Sequence, residues 1–378
     1  PAPWGSQLYV SGLSRALARR GHRVVVAAHA GPSVSLDGVE VLRTPAIGST
    51  LHQGTGPHWS RIPGNFALIS LVRGLLHRES IDVLHAHHVD APVVARLARL
   101  RRRPLLVHSL HTSLEEELCD WYPQFGGVGR RLGAWLDAWG PRAADAHVGI
   151  SSRAVQHLAR FGAERVHWGP PGIDLADVQG GNAARARQRW QLGEDPWLVY
   201  AGNVDQYQDL PYLFEAIRPL PELRLLLVSS ADIGAVRFLE ERSGLPPHRR
   251  RFIGGAGWSE ACDALAAARI GVIPRRRCMG IPMKVLNQLA LGVPTFAVRG
   301  GCEGFPGVHL VESESARALG EALIHGVRHP EACAALGDVG ASYVRDHLTW
   351  DIQAERMERF YDAQLDRRGQ TSGRMGGW

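Results

Sequence analysis

One stretch of this 378-residue sequence combines residue types and spacing that suit anion chemistry: Gly280–Ile281–Pro282–Met283–Lys284–Val285–Leu286–Asn287, running on to Gly292–Val293–Pro294. The apolar run Ile270–Gly271–Val272–Ile273 before it predicts a buried strand. A helix is expected from about Met283 to Leu291, stopped by Gly292 in left-handed backbone and prevented from continuing by Pro294. Gly280 lets the backbone approach a ligand closely, and Pro282 suits a first helical turn. The free N–H groups of that turn favour an anion, and Lys284, the sole lysine of the chain, adds a full charge. Asn287 lies three residues on and shares the face of Lys284. The stretch reads as a cradle for the diphosphate and ribose of a nucleotide. The plainer reading is any strand–loop–helix unit of an α/β sheet.

Other residues invite chemistry more weakly. His111 is expected at the carboxyl end of a strand, Leu105–Ser109, and is followed by the acidic run Glu115–Glu116–Glu117, which suits the start of a helix. A loop histidine satisfied by backbone is the alternative. His85, His87 and His88 suggest a metal, but no carboxylate or cysteine at ligand spacing joins them, so no metal site is assigned. Trp121–Tyr122–Pro123, Trp135 and Trp139 could stack on sugar or touch lipid headgroups, with helix packing as the default.

These groups need a scaffold, and the pattern supplies one. Apolar runs alternate with helical patterns along the whole chain, which implies right-handed βαβ units and parallel sheets. In the first half, strands are expected at Arg23–Ala28, Val39–Leu42, Ile81–His85, Leu105–Ser109, Ala146–Ile150 and Val166–Trp168. Helices are expected at Gln7–Arg20, Phe66–His77, Ala91–Leu100, Gly133–Ala143 and Arg153–Phe161. A second series opens at Trp197–Ala201 and continues through Leu225–Val228, Arg251–Ile253, Ile270–Ile273, Thr295–Val298 and His309–Val311. The simplest architecture is two doubly wound domains facing each other across a cleft, with ligands beyond the carboxyl ends of the strands. The boundaries are 1–174 for an N-terminal domain, 175–195 for a linker with one helix, 196–348 for a C-terminal domain, 349–366 for an amphipathic crossover helix and 367–378 for a disordered Gly/Arg-rich tail. An opening strand is expected to be missing before Pro1.

Composition narrows the class. A hydrophobic share of 45% with no membrane-length apolar run fits a globular chain. Five scattered cysteines without a CxxC pair indicate neither a disulfide framework nor a zinc ribbon, which suits the cytoplasm. The net charge of +6 comes from arginine. Clusters at Arg101–Arg103, Arg249–Arg251 and Arg275–Arg277 could face phosphate or the anionic inner face of a membrane. No aromatic-interleaved basic stripe points to nucleic acid.

In order along nearly the whole chain, the sequence resembles the family 4 retaining glycosyltransferases of the GT-B fold. Pro3–Trp4–Gly5–Ser6 and Gly21–His22–Arg23–Val24 resemble the family's glycine loop and "RGHeV" turn. Asp82 to His87 resembles "DvvHaH", Val107 to His111 the strand ending in an active-site histidine, and Ala144–Asp145 to Ser151 "ad.vi.vS". Pro171–Gly172–Ile173–Asp174 resembles "NGiD", the Lys284 stretch "GxPxKxxE…A.G.PvVa", and Trp350 to Tyr361 the closing crossover helix. The resemblance implies transfer of a sugar from a nucleotide sugar to a glycan, lipid or small-molecule acceptor, with retention and without a metal or other cofactor. It places Gly5 beside the donor phosphates, His111 near the transferred sugar, Lys284 on the diphosphate and Gly254–Gly255–Ala256 near the base. Asn203 and Gln208 stand where the family has phosphate-binding cations, and Asn287 where a glutamate holds the ribose. Met279 and Ser229–Ser230 also depart from the pattern. These neutral replacements leave a second expectation open, a non-catalytic relative acting as a binding or partner protein.

Overall fold

A computed structural model describes residues 5–46, 61–99 and 104–375. Trp4 and the Arg101–Arg103 cluster lie outside them. The chain forms two compact units, one made of Ile173–Thr349 and the other of the chain up to Gly172 together with the chain from Trp350 onward.

The first unit starts with α1 (Gly5–Arg19), β1 (Val24–Ala28), β2 (Val39–Arg43), α2 (Arg61–Arg78), β3 (Val83–His87), α3 (Ala91–Ala98) and β4 (Leu105–Leu110). It continues through α4 (Leu114–Trp121), α5 (Gly126–Asp137), α6 (Trp139–Ala143), β5 (Ala146–Gly149), α7 (Ser152–Arg160) and β6 (Val166–Trp168). Strands β3 to β6 form a parallel sheet in sequence order, and β1 pairs β2 in a separate parallel ribbon. β4 is buried along its whole length, which accounts for its unbroken apolar start. β3 extends to His87, two residues past the expected end, because its ladder with β4 runs on to His87 opposite Ser109.

The second unit holds α8 (Leu175–Val178), α9 (Ala183–Trp190), β7 (Trp197–Ala201), α10 (Leu210–Ile217), β8 (Arg224–Val228), α11 (Ile233–Arg242), β9 (Arg250–Ile253) and α12 (Trp258–Ala266). After these come β10 (Ile270–Ile273), α13 (Met283–Ala290), β11 (Thr295–Val298), β12 (Val308–Val311), α14 (Ala316–Arg328) and α15 (Pro330–His347). Its parallel sheet has the order β12-β11-β10-β7-β8-β9. Chain direction across the sheet reverses between β7 and β10, so the carboxyl ends of these two strands flank the topological switch point. Residues 175–195, expected as a linker, belong to this unit: Ala186, Trp190 and Leu192 are buried with Trp197 and Val199, because α9 packs its apolar face against α12 and the core beneath it.

α16 (Trp350–Met375) then returns to the first unit. The expected disordered tail is helical as far as Met375. Once a helix is nucleated by packing, each added residue gains a hydrogen bond, and Arg368 lies 3.6 Å from the Asp145 carboxylate. Trp350 opens α16 and packs on Gly12 of α1, where a Cβ would lie 2.1 Å from the indole. Gly12→Ala is therefore expected to destabilise the first unit by about 1–3 kcal/mol. Gly74→Ala, in open space within α2, should stabilise by about 0.5–1 kcal/mol. Paired thermal melts check both, and an equal response of the two variants would contradict the packing.

Candidate functional site

In the second unit, the switch point carries the only lysine. Lys284 is the second residue of α13, a helix whose N-cap, Pro282, offers no side-chain hydrogen bond. Its Nζ donates to Tyr200 Oη and to Gln208 Oε1, each at 2.7 Å, and lies 4.4 Å from the Tyr200 ring centroid. Gly202, directly after β7, makes room for it, since a Cβ there would sit 2.9 Å from Nζ. Tyr200 Oη donates to the Asn203 carbonyl at 2.6 Å, and Gln208 Nε2 donates to Asn203 Oδ1. Asn203 Nδ2 donates to Asp205 Oδ2 and Tyr207 Oη, both at 2.6 Å. Three of the sequence-derived residues, Asn203, Gln208 and Lys284, thus form one network, and Tyr200 and Tyr207 complete it.

The electrostatics follow from what is near. Burial, and then the Arg275 charge, push the Lys284 ammonium down to about 7, while Cys278 and Asp205 act the other way. Among the described residues no carboxylate pairs with Lys284. An ammonium held by two uncharged oxygens keeps its proton weakly, and an arriving anion would strengthen it. Burial likewise raises the Tyr200 hydroxyl well above its ordinary value, so it stays a neutral hydrogen-bond partner.

The other expected donor residues are less tightly joined. Gly280 lies in the β10–α13 connection and Asn287 is half-buried on α13. Gly254 and Gly255 follow β9 at the sheet edge, and the fold alone explains both. A Cβ on Gly254 would meet Ile233 Cα at 2.8 Å, and Gly255 has φ of +68°. Gly5 is the exposed first residue of α1 in the first unit, with nothing within 4 Å of an added Cβ. The Arg249–Arg251 cluster is no anion site. Arg249 is buried and donates to the carbonyls of Ile217, Leu220 and Leu223, closing the end of α10.

In the first unit, His111 follows β4 and is 4% exposed. Its Nε2 lies 3.1 Å from His87 Nδ1, and Tyr9 of α1 packs edge-on against it with centroids 4.9 Å apart. His85 stacks on His87 at 4.1 Å and is held by Tyr361 Oη of α16 at 2.6 Å and Ser109 Oγ at 2.7 Å. Of the histidines that sequence spacing suggested as a metal set, His85 and His87 are thus engaged with one another, with His111 and with hydroxyls, while His88 lies 3.7 Å from the Asp90 carboxylate. Glu115, Asp137 and His157 place oxygen and nitrogen atoms within 4.8 Å of one another. Asp137, however, accepts from Ser113 Oγ, the Leu114 and Glu115 amides and His157 Nε2, which makes it a distant cap on α4. Arg130 and Arg160 bind Glu115, and Arg153 binds Glu116.

Helix packing does not use the tryptophans as expected. α5 meets α4 through Gly129 and Gly133, so the opposite face turns out. Trp135 is 56% and Trp139 45% exposed, and their rings meet edge-on with centroids 5.1 Å apart. Ile62, Phe66, Ile69, Val93, Leu97 and Trp139 line a cavity of about 280 Å3 that opens among α2, α3 and α6.

The sequence profile of Glycosyltransferase Family 4 matches residues 5–177, and that of Glycosyl transferases group 1 matches 195–329. The chain is 32% identical to a D-inositol 3-phosphate glycosyltransferase of Xylanimonas cellulosilytica over 297 residues, 69% of each sequence. It is 24% identical to a phosphatidyl-myo-inositol mannosyltransferase of Mycobacterium tuberculosis across 95% of this chain and 93% of that one. The solved structure of sucrose-phosphate synthase from Thermosynechococcus elongatus has the same fold, with a TM-score of 0.79 over 96% of this chain and 94% of that chain at 18% identity.

Burial lowers the histidines of the first unit: His85 and His108 to about 3, His147 to about 4, and His87 and His111 also well below the ordinary value. Above the unfolded value of 6.5 these groups are neutral folded or unfolded and cost nothing. Below it the unfolded chain takes up protons that the fold refuses, at up to about 1.4 kcal/mol per pH unit for each imidazole. Calorimetry should show the first unit losing stability steadily as pH falls from about 6.5 towards 4, with a shallower slope in His108→Leu. Equal stability at either end of that window would mean that the imidazoles are solvated.

Proposed function

Because the chain belongs to the family 4 glycosyltransferases of the GT-B fold, we propose that it moves a sugar, with retention, from a nucleotide sugar bound at the second unit's switch point to an inositol-phosphate headgroup. The observation that carries this reading is Lys284, an ammonium that no carboxylate neutralises among the described residues, at the carboxyl edge of a doubly wound sheet. Cleavage of the donor bond leaves growing negative charge on a diphosphate. A fixed cation and the first N–H groups of α13 stabilise that charge without reorganising when it appears. Gln208 and Tyr200 aim the ammonium, and Gly202 gives it room. His111, the counterpart of the family's active-site histidine, acts as a neutral imidazole steadied by His87. No metal or other cofactor is assigned a part.

The inositol-type acceptor is supported by the names of the relatives, and its lipid-borne form by the surface of the first unit. Helices α2, α3, α5 and α6 carry no carboxylate except the buried Asp137, yet they present Arg73, Arg96, Arg131 and Arg142 with exposed Phe66, Trp135 and Trp139, and Phe125 is exposed directly before α5. Aromatic and arginine side chains together suit the headgroup region of an anionic bilayer. No helix among the described residues is long and apolar enough to cross a membrane, so the contact is read as peripheral.

With a panel of UDP- and GDP-sugars, nucleoside diphosphate should be released only when phosphatidylinositol vesicles or inositol phosphate are supplied. Lys284→Ala should weaken nucleoside diphosphate binding by about 10-fold or more, as expected for losing a charged hydrogen-bond donor. Binding that survives this change would remove the diphosphate from Lys284. Co-sedimentation should show the protein on phosphatidylinositol-containing vesicles and not on phosphatidylcholine alone, with Phe125→Ser plus Trp135→Ser reducing it. Vesicle binding unaltered by that pair would locate the contact elsewhere.

A further inference from the structure

Asn203 and Gln208 leave the phosphate site of this chain one cation short of a diphosphate's charge, and the loop after β10 offers three arginines. Arg277 is exposed. Arg276 is already neutralised: its guanidinium and its backbone N–H both donate to Asp209, at 3.0 Å each. Arg275 is different. It is half-buried, and among the described residues no carboxylate pairs with it. Its Cζ lies 4.7 Å from the Tyr207 ring centroid, and its Nε donates to the Arg277 carbonyl at 2.5 Å. Stacking on the ring and one backbone bond fix the guanidinium plane, while its terminal amino groups remain for a planar, two-pronged acceptor.

Two further observations tie Arg275 to Lys284. Tyr207, on which it stacks, is linked through Asn203 and Gln208 to the Lys284 ammonium by consecutive hydrogen bonds. Its charge also acts on that ammonium, adding to burial in lowering it. The loop that carries it is held in place. Gly300 and Gly301 lie against the Arg276 and Arg275 carbonyls so closely that a Cβ would fall 2.2 Å and 1.6 Å away, and Cys278 N donates to the Gly300 carbonyl at 2.9 Å. Two like charges thus act on one another from fixed backbone, opposed by Asp205, which is itself hydrogen-bonded by Asn203. That arrangement costs stability when empty and favours a ligand of at least two negative charges.

We propose that Arg275 is the second phosphate-binding cation of this chain, replacing the charge absent at Asn203 and Gln208, so that the donor's diphosphate is held between Arg275 and Lys284. The proposal rests on the reading of Lys284 as a donor-phosphate residue, and it adds that specificity for diphosphate over monophosphate comes from Arg275. A solvated arginine merely resting on a tyrosine is the competing description.

The experiment is calorimetry with UDP, GDP, UMP, GMP and inorganic pyrophosphate on the full chain, its Arg275→Gln and Arg275→Lys variants, and Arg277→Gln as control. Arg275→Gln should weaken the diphosphates and pyrophosphate by about 10-fold or more and the monophosphates by much less. Arg275→Lys should fall between, since it keeps charge without the fork, and Arg277→Gln should match the wild type. A second readout uses the single lysine. After reductive methylation with 13C-formaldehyde, one dimethyl-lysine resonance reports the Lys284 titration, expected near 7 and moving upward in Arg275→Gln. Diphosphate binding by Arg275→Gln equal to wild type overturns the proposal, as does an unmoved Lys284 titration. If Arg275→Gln does not fold, Arg275→Lys decides by the same calorimetry, and equal affinity overturns it. Failure of the wild type to bind any diphosphate would overturn the Lys284 reading itself and this proposal with it.

Discussion

A positive charge held by uncharged oxygens, with no carboxylate partner among the described residues, is the constraint that shapes the second unit. Water would solvate an ammonium far better than a tyrosine hydroxyl and an amide oxygen do, so Lys284 sits in a state the fold tolerates rather than prefers. The surrounding residues make sense as consequences. Gly202 has no side chain because the ammonium occupies that space, and Tyr200 is held as a phenol rather than a phenolate. Gln208 turns its oxygen inward because its amide nitrogen is spent on Asn203. The reversal of strand order between β7 and β10 opens the space in which all of this happens.

The first unit solves the opposite problem. Its polar interior is built from imidazoles that remain uncharged, arranged on the facing strands β3 and β4 and closed by tyrosines from α1 and α16. Neutral rings that both give and accept a hydrogen bond can line a surface without imposing a field on it. Its charged groups are spent on one another and on backbone: Asp137 and Glu115 on the α4 terminus and on arginines, Asp145 on the buried Arg99. Unlike charge environments therefore belong to different units: an unneutralised cation in one, neutral donors and acceptors in the other.

Much of this was legible from residue order. The strands Trp197–Ala201, Ile270–Ile273 and Thr295–Val298 coincide with their apolar runs because each is buried on both faces, which forces continuous hydrophobicity between polar flanks. Lys284 stood out because a lone cation at a helix start has few structural uses. What the residue order conceals depends on distance along the chain. Nothing near Asp137 announces that it caps a helix more than twenty residues earlier, and nothing near Arg249 announces that its guanidinium closes α10. Tyr200 was hidden inside a strand that reads as plain core, although a buried phenol always needs a partner. The tryptophans misled for a related reason: large aromatic residues default to the interior, and only the glycine seam between α4 and α5 reveals that their face is turned out.

The return of α16 has a consequence for how the protein is made. Ile173–Thr349 is one uninterrupted segment, whereas the unit that comes first in the chain lacks Trp350 and Tyr361 until the final helix emerges. Synthesis therefore yields every strand of that unit before α16, leaving the Gly12 notch without Trp350 and His85 without Tyr361. The later segment has every strand it needs beforehand. Translation order and completion order are inverted, and the nascent amino-terminal unit must stay unaggregated through the synthesis of its neighbour.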